Sequence, residues 1–464
     1  MKTAAEKLKD KLSYKSENAW ESKNYKQDEL ESFSREYIKF ISTCKTEREV
    51  IDYLIKMLNQ KKIREKAGNT FYIVNKNKGI AIVKIGKNDL KKGVKLIVSH
   101  VDSPRLDLKQ NPLYEDTGVA LFKTHYYGGI KKYQWVTRPL ALHGVVILKN
   151  GQSVKISIGE SDGDPIFFIS DLLPHLSYKV QDEKSLKEAI PGEKLNIVVG
   201  SIPYTADEEF KEKIKLNILQ YLNKTYKMEE QDFLTAELEM VPAGKARDVG
   251  FDRSMIAGYG QDDRICVFSA VSALLDTKSG DDTIVVYLAD KEEIGSDGNT
   301  GAKSMFLKQI IKNIFINKYK KVDMVAVEEC LFNSRAISAD VNGALDPDWK
   351  DVHEKRNAAI LGHGVCMTKF TGSRGKAGAS DANAEYIGSV RKVLNQNKVC
   401  WQMGELGKVD EGGGGTLAKF IADYGMDVVD MGPALLSMHA PMELSSKIDL
   451  FMTYKAYKVF FEKL

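Results

Sequence analysis

The sequence predicts an α/β fold assembled from both ends of the chain and interrupted by a β-rich insertion. Three observations predict it. The run Thr283-Ile-Val-Val-Tyr-Leu288 is apolar without alternation, the pattern of a strand buried on both faces of a largely parallel sheet. From Asp262 onward, helix-like and strand-like stretches alternate, as a sheet covered by helices requires. Between about 106 and 246 that rhythm gives way to short β-rich runs divided by glycine turns. At 464 residues the chain is too long for one ordinary core. The division expected is a discontinuous domain of residues 1–105 and 247–464, with an inserted domain of residues 106–246.

The elements follow in order. The first sixty-odd residues carry apolar side chains at helical spacing, with Tyr37, Ile38 and Ile41 followed by Val50, Leu54, Ile55 and Leu58. Strand-like runs come next at Thr70 to Val74, Ile80 to Ile85 and Val94 to Val98. Pro104 then stops any regular element. In the insertion, Asn150-Gly151 between alternating runs marks a hairpin, and a charged helix is expected from Glu208 to Lys227. Beyond it, helices are expected over Ile265 to Leu275 and Ala302 to Ile316, and strands over Thr283 to Leu288 and Met324 to Val327. A strand around Cys400 to Met403, another over Asp427 to Met431 and a helix from Leu450 to Phe461 close the chain.

Composition excludes several classes. Lys and Arg outnumber Asp and Glu by 68 to 64, a net +4 too dilute to argue for nucleic acid or an anionic membrane. No run approaches the ~18 apolar residues of a membrane helix, and the charged N-terminus lacks the apolar stretch of a secretion signal. The five cysteines, Cys44, Cys266, Cys330, Cys366 and Cys400, are scattered and never spaced Cys-x-x-Cys. They fit reduced thiols in the cytoplasm better than disulfides or a thiolate zinc site.

The chemistry is carried by side chains that end strands. The buried run before Leu288 delivers Glu292 and Glu293 into a glycine-containing turn. Neighbouring acids repel, so a fold keeps such a pair near its interior only when something cationic or catalytic sits there. One carboxylate on a metal with its neighbour holding a water is the economical explanation. His100 and Asp102 follow Leu96-Ile-Val98, Asp262 and Asp263 precede a helix, Asp340 ends Ala336-Ile-Ser-Ala-Asp340, and His439 follows Val428-Val-Asp-Met-Gly432. Open α/β sheets gather ligands outside the carboxyl ends of their strands. Two imidazoles and several carboxylates make a hard N/O set suited to Zn²⁺, Mn²⁺ or Co²⁺, with ligands enough for two ions sharing one carboxylate. Each residue alone has an ordinary reading, such as Asp102 capping a turn or Asp262 and Asp263 capping a helix. Capping and surface roles would not predict strand-end placement five times over.

Other features are weaker. Gly295 to Ser304 approaches a phosphate-binding loop, but Ala302 separates glycine from lysine and the spacing is five, not four. Gly412 to Gly415 either lets backbone approach a substrate or forms a flexible loop. Tyr126-Tyr-Gly-Gly129 and Trp135 read as core or interface. No Gly-x-Ser-x-Gly elbow supports a serine triad.

Ser99-His-Val-Asp-Ser-Pro104, Gly260-Gln-Asp-Asp-Arg264, Asp290-Lys-Glu-Glu-Ile-Gly-Ser296, Ser338-Ala-Asp340 and Ser437-Met-His-Ala440 resemble, in this order, the aspartyl aminopeptidase and vacuolar aminopeptidase I family of dinuclear zinc peptidases. The likeness covers essentially the whole chain, the insertion included. It implies a mixed-sheet α/β peptidase domain, a sandwich like that of phosphorylases and related hydrolases, with the insertion serving dimerisation. It also implies two zinc ions per subunit, with manganese or cobalt as substitutes, and removal of N-terminal residues from peptides. By the same resemblance His100 and Asp340 would serve one ion, Glu293 and His439 the other, and Asp262 both. Glu292 would be the general base and Asp102 the acid orienting His100. Family members form dodecamers from dimers, with a neighbouring subunit reaching the site; Asp171 and His175 lie in the matching region. Two departures concern specificity. The aspartyl-specific members have a His-Pro pair where this chain reads Asp346-Pro347, and Ser373 to Ser380 differs from their pattern. Arg374 or Lys376 could still meet a substrate carboxylate, and Gly413 is a further substrate-binding candidate. Against this reading stand a carboxypeptidase or deacylase using the same metals, an ATPase using Gly295 to Ser304, and a catalytically silent shell protein.

Overall fold

The structure is a computed structural model describing residues 2–14, 16–205 and 210–464. Its main sheet has nine strands. Across the sheet they run Arg64–Glu65, Thr70–Asn75, Gly79–Lys84, Ile284–Ala289, Lys95–His100, Arg335–Ser338, Asp427–Gly432, Val365–Thr368 and Trp401–Met403. Ile284–Ala289, Lys95–His100, Arg335–Ser338 and Asp427–Gly432 are mutually parallel, so their carboxyl ends share one edge. Antiparallel partners flank this parallel centre, making the sheet mixed.

Alternate side chains of each central strand enter different cores, which explains the unbroken apolar runs. Ile97, Val286, Leu288 and Ile337 pack with helices Gln27–Thr43, Glu47–Gln60, Gln261–Asp276 and Lys447–Lys463. Leu96, Val98, Val285 and Tyr287 pack on the opposite face with Phe306–Tyr319 and Met324–Phe332. Fully burying one such side chain is worth about 1.5–3 kcal/mol, so neither face tolerates polar residues until the strands reach their ends. The N-terminal helices have the expected spacing, with Tyr37, Ile41, Val50, Leu54 and Leu58 all buried. Thr46 and Glu49 close the second of them with a reciprocal capping box.

One expected strand is a helix. Met324 to Val327 begins the helix Met324–Phe332, capped by the Asp323 carboxylate accepting from the Val325 N–H at 3.0 Å. Its buried residues, Ala326, Val327, Cys330 and Leu331, follow helical spacing. The strand of that region is Arg335–Ser338, which carries Asp340 at its end.

A second, six-stranded antiparallel sheet is drawn from residues 105–242 in the order Ser153–Ile158, Leu140–Ile147, Ala236–Pro242, Arg105–Asp116, Val119–Tyr127 and Ile197–Gly200. The Asn150-Gly151 hairpin joins its first two strands as expected. This sheet has its own core, including Leu106, Phe122, Leu142 and Met240, closed by the helix Lys213–Tyr226. The start expected for that helix, Glu208, lies outside the described residues. No helix among the described residues is long and apolar enough to cross a membrane.

Candidate metal centre

Parallel strands bring the sequence-distant acids and imidazoles together. Ala289 pairs with His100, so the turn after Ala289 places Glu292 and Glu293 beside the end of the histidine strand. Ser338 pairs with Val98, which carries Asp340 to the same edge from the other side. Asp262 and Asp263 begin the helix Gln261–Asp276, and His439 follows the Asp427–Gly432 strand. His100, Asp262, Glu292, Glu293, Asp340 and His439 all line one cleft of about 580 Å³, a size ordinary for small-molecule sites.

Asp262 lies at the centre. Its Oδ1 is 3.1 Å from His100 Nε2 and its Oδ2 is 3.2 Å from His439 Nε2, so each oxygen faces a different imidazole. Asp340 Oδ1 stands 3.9 Å from His100 Nε2, and Glu293 Oε2 stands 3.4 Å from His439 Nε2. His100, Asp262 and Glu293 form one compact grouping, and His439 stands against Asp262 and Glu293. A second compact grouping joins His100, Asp263 and Asp340. Asp263 Oδ2 accepts from the Ser99 hydroxyl and the His100 N–H, and its Oδ1 is buried without a donor; Asp262 is the better shared ligand because its two oxygens face different imidazoles.

The electrostatics suit a cation. Burial pushes the Glu293 carboxyl well above its usual range, and the Asp262 charge adds to it. Burial does the same to Asp340, with Asp263 adding, and lifts Glu292 to about 7 against the pull of His100. Asp262 shifts the other way because His100 and His439 together outweigh its burial. Glu293 Oε1 is buried without a hydrogen-bond donor. Anionic oxygens packed this closely call for positive charge between them, and two imidazoles with carboxylates form a donor set that fits zinc.

Two further carboxylates hold the backbone beneath this cluster. Asp102 Oδ1 accepts from the Glu292 N–H at 3.1 Å and Oδ2 from the Glu293 N–H at 3.2 Å. His100 Nδ1 is closer to the Asp102 carbonyl oxygen, at 3.1 Å, than to its carboxylate, at 3.4 Å. Asp102 thus grips the two glutamates as well as the imidazole. Glu443, which sequence reasoning missed, accepts from the Asp262 N–H at 3.1 Å and the His439 N–H at 2.8 Å. Tyr127, read from the sequence as core or interface, donates its hydroxyl to Asp102 Oδ2 at 2.8 Å. Its Tyr-Gly-Gly signal was visible in the sequence, but nothing there tied it to Asp102.

The substrate-binding candidates separate into two groups. Arg374, Lys376 and Gly413 line the cleft. Lys376 pairs with Asp381 at 2.8 Å and lies over the Phe370 ring. Gly413 pairs with Ser373 across a two-residue ladder, where a Cβ would sit 2.1 Å from the Gly372 carbonyl oxygen. Only glycine fits there. Asp171 and His175 are exposed and do not line the cleft of their own chain. The Gly295 to Ser304 segment is not a phosphate loop, because the next helix starts only at Phe306 and Lys303 is paired with Asp297 at 2.8 Å.

Two imidazoles and a set of carboxylates, delivered by separate elements to one sheet edge inside a cleft, define a metal-dependent hydrolase. The Aminopeptidase I zinc metalloprotease (M18) family matches residues 40–461. The Clostridium acetobutylicum protein called "Probable M18 family aminopeptidase 1" is 50% identical over 455 residues, covering 96% of this chain and 97% of that protein. A Thermotoga maritima protein of the same name is 48% identical, covering 96% and 99%. The crystal structure of an M18 family aminopeptidase from Thermotoga maritima superposes with a TM-score of 0.93 at 47% identity, covering 97% of this chain and all of that one. The chain belongs to the M18 aminopeptidase I family and is a zinc-dependent aminopeptidase.

Proposed function

We propose that this chain removes the N-terminal residue from peptides at a centre that would hold two zinc ions, with Asp262 as the carboxylate serving both. The observation that carries this reading is the placement of the two Asp262 oxygens against different imidazoles, at 3.1 and 3.2 Å. His100, Asp262 and Asp340 would hold one ion and His439, Asp262 and Glu293 the other; manganese or cobalt could substitute, since the donors are hard nitrogen and oxygen. Zinc, when bound, supplies Lewis acidity that makes water acidic near neutral pH and polarises the scissile carbonyl.

The chain's own residues do the rest. Glu292 lines the cleft, belongs to neither ligand group and follows the strand that carries Glu293 to it. Its carboxylate takes a proton from the attacking water and hands it to the departing amine. Asp102 fixes the peptide that carries it. Arg374, or Lys376 in exchange for its Asp381 partner, would meet a substrate carboxylate, and the Gly413 backbone would meet substrate main chain. Residues 1–105 and 247–464 form the catalytic unit and 106–246 the dimerisation unit. Exposed apolar side chains on that unit, such as Leu172, Leu173, Leu176 and Tyr178, support a homo-oligomer of dimers, with Asp171 and His175 reaching a neighbour's cleft. A yeast relative of the same fold, at 22% identity, is a dodecamer, and we extend that assembly to this chain. Five buried, unpaired cysteines support a reducing, cytoplasmic setting.

The test is a panel of aminoacyl amides offered with free and acetylated α-amines. Turnover confined to the free amines is expected. Equal turnover of acetylated substrates would favour a deacylase or carboxypeptidase instead.

A further inference from the structure

The second sheet does more than sit beside the catalytic unit, because one end of it lies against the metal-ligand cluster. The strand Val119–Tyr127 runs out into Gly128 and Gly129, and these three residues touch both halves of the cluster. Tyr127 Oη donates to Asp102 Oδ2 at 2.8 Å. That carboxylate in turn accepts the N–H groups of Glu292 and Glu293, so the tyrosine sets the orientation of the group that fixes both glutamates. Gly128 has φ of +74°, and a Cβ there would stand 3.3 Å from Glu293 Cβ and 3.4 Å from Glu293 Oε2. The Gly129 carbonyl oxygen lies 3.0 Å from His439 Nδ1. A carbonyl only accepts, so Nδ1 carries a proton, and Nε2, which faces Asp262 and Glu293, is the ring nitrogen that would bind an ion.

We infer that Tyr127–Gly129 is the positioning segment of the metal centre, orienting Asp102 through the tyrosine hydroxyl and the His439 ring through the Gly129 carbonyl. The inference rests on the proposed reading of His439 and Glu293 as ligands. What holds the segment is in the second sheet as well. The Arg105 guanidinium stacks 4.0 Å from the Tyr127 ring centroid. It is gripped by Asp107 at 2.8 Å and by Glu47 and Glu239, each at 3.3 Å. Two of those acids belong to the second sheet and one, Glu47, to the helix Glu47–Gln60. A shift of the second sheet relative to the main one therefore moves Asp102 and His439 together. Partners of this kind typically change metal affinity or activity by about 10–100-fold when removed.

The experiment compares Tyr127→Phe and Tyr127→Leu with the unaltered protein. Zinc affinity is measured by chelator competition, alongside kcat, KM and melting temperature. Phenylalanine keeps the ring under Arg105 and loses only the hydroxyl. The expected result is zinc bound about 10–100-fold more weakly and a lower kcat, with KM and melting temperature unchanged. Wild-type zinc affinity and kcat in Tyr127→Phe would overturn the inference, as would losses in both variants that merely track melting temperature. Gly129→Ala, whose Cβ would lie 3.3 Å from His439 Nδ1, gives a second arm if the aromatic variant folds poorly. Weakened zinc binding supports the inference and unchanged binding overturns it. Glu292→Gln, run in parallel, separates the two levels. Normal turnover in that variant sinks the site reading and this inference with it, whereas an inactive Glu292→Gln beside a wild-type-like Tyr127→Phe sinks the inference alone.

Discussion

His143 couples the second sheet to the helix Glu47–Gln60, and its protonation should be visible as pH-dependent stability. The ring is 2% exposed, with Nδ1 2.7 Å from Glu49 Oε1 and Nε2 3.2 Å from Glu160 Oε1. Glu49 belongs to the helix Glu47–Gln60, packed on the main sheet, and His143 to the strand Leu140–Ile147 of the second sheet, so the contact joins the two sheets. Burial disfavours the charged ring, but the carboxylates of Glu160 and Glu49 outweigh it and hold the pKa at about 9 against 6.5 when unperturbed. A base whose pKa is raised by folding stabilises the fold fully below its unfolded pKa and loses that contribution as pH climbs through the folded value. The window here is pH 6.5 to 9. The shift of about 2.5 units corresponds to about 3 kcal/mol. Urea unfolding of the zinc-loaded protein and of His143→Gln, across pH 6 to 10, cancels in the difference the titrating groups that do not contact this ring. The stability gap between them should shrink by about 3 kcal/mol from pH 6 to 10. A gap that stays constant, or widens with pH, would refute the assignment of charge to this ring.

Two further outcomes follow from the site. On the proposed reading Glu292→Gln removes the proton acceptor and leaves the proposed ligands intact, so kcat should fall by about 10²–10⁴ while zinc content by elemental analysis is unchanged. Glu443→Gln sets an amide NH₂ against one of the two backbone N–H groups that the carboxylate now accepts from Asp262 and His439. Chelator competition should show zinc held about 10–100-fold less tightly, and wild-type affinity would mean that these backbone contacts do not govern the cluster.

The sheet was legible because its central strands are apolar on both faces, a pattern no exposed element needs. The same logic misled at Met324 to Val327, since a short apolar run does not distinguish a buried helix turn from a strand. The Asp323 cap was the signal available there. The residues of the candidate metal centre were legible because each ends or follows a strand, or opens a helix, at the sheet edge. Glu443 and Tyr127 were not, because their work is a contact between positions 181 and 25 residues apart, made to a backbone N–H or another acid. Neither type of contact leaves a motif. Gly413 was legible only as part of a glycine run; the reason for glycine, the nearby Gly372 carbonyl, belongs to the folded loop.

The central claim is that Asp262 shares its two oxygens between two cations. Crystals of the zinc-loaded protein, with anomalous difference maps collected across the zinc absorption edge, test it most directly. Two peaks flanking the Asp262 carboxylate, about 3.5–4 Å apart, are the predicted result. A single peak, or peaks that leave Asp262 bound through one oxygen only, would contradict it.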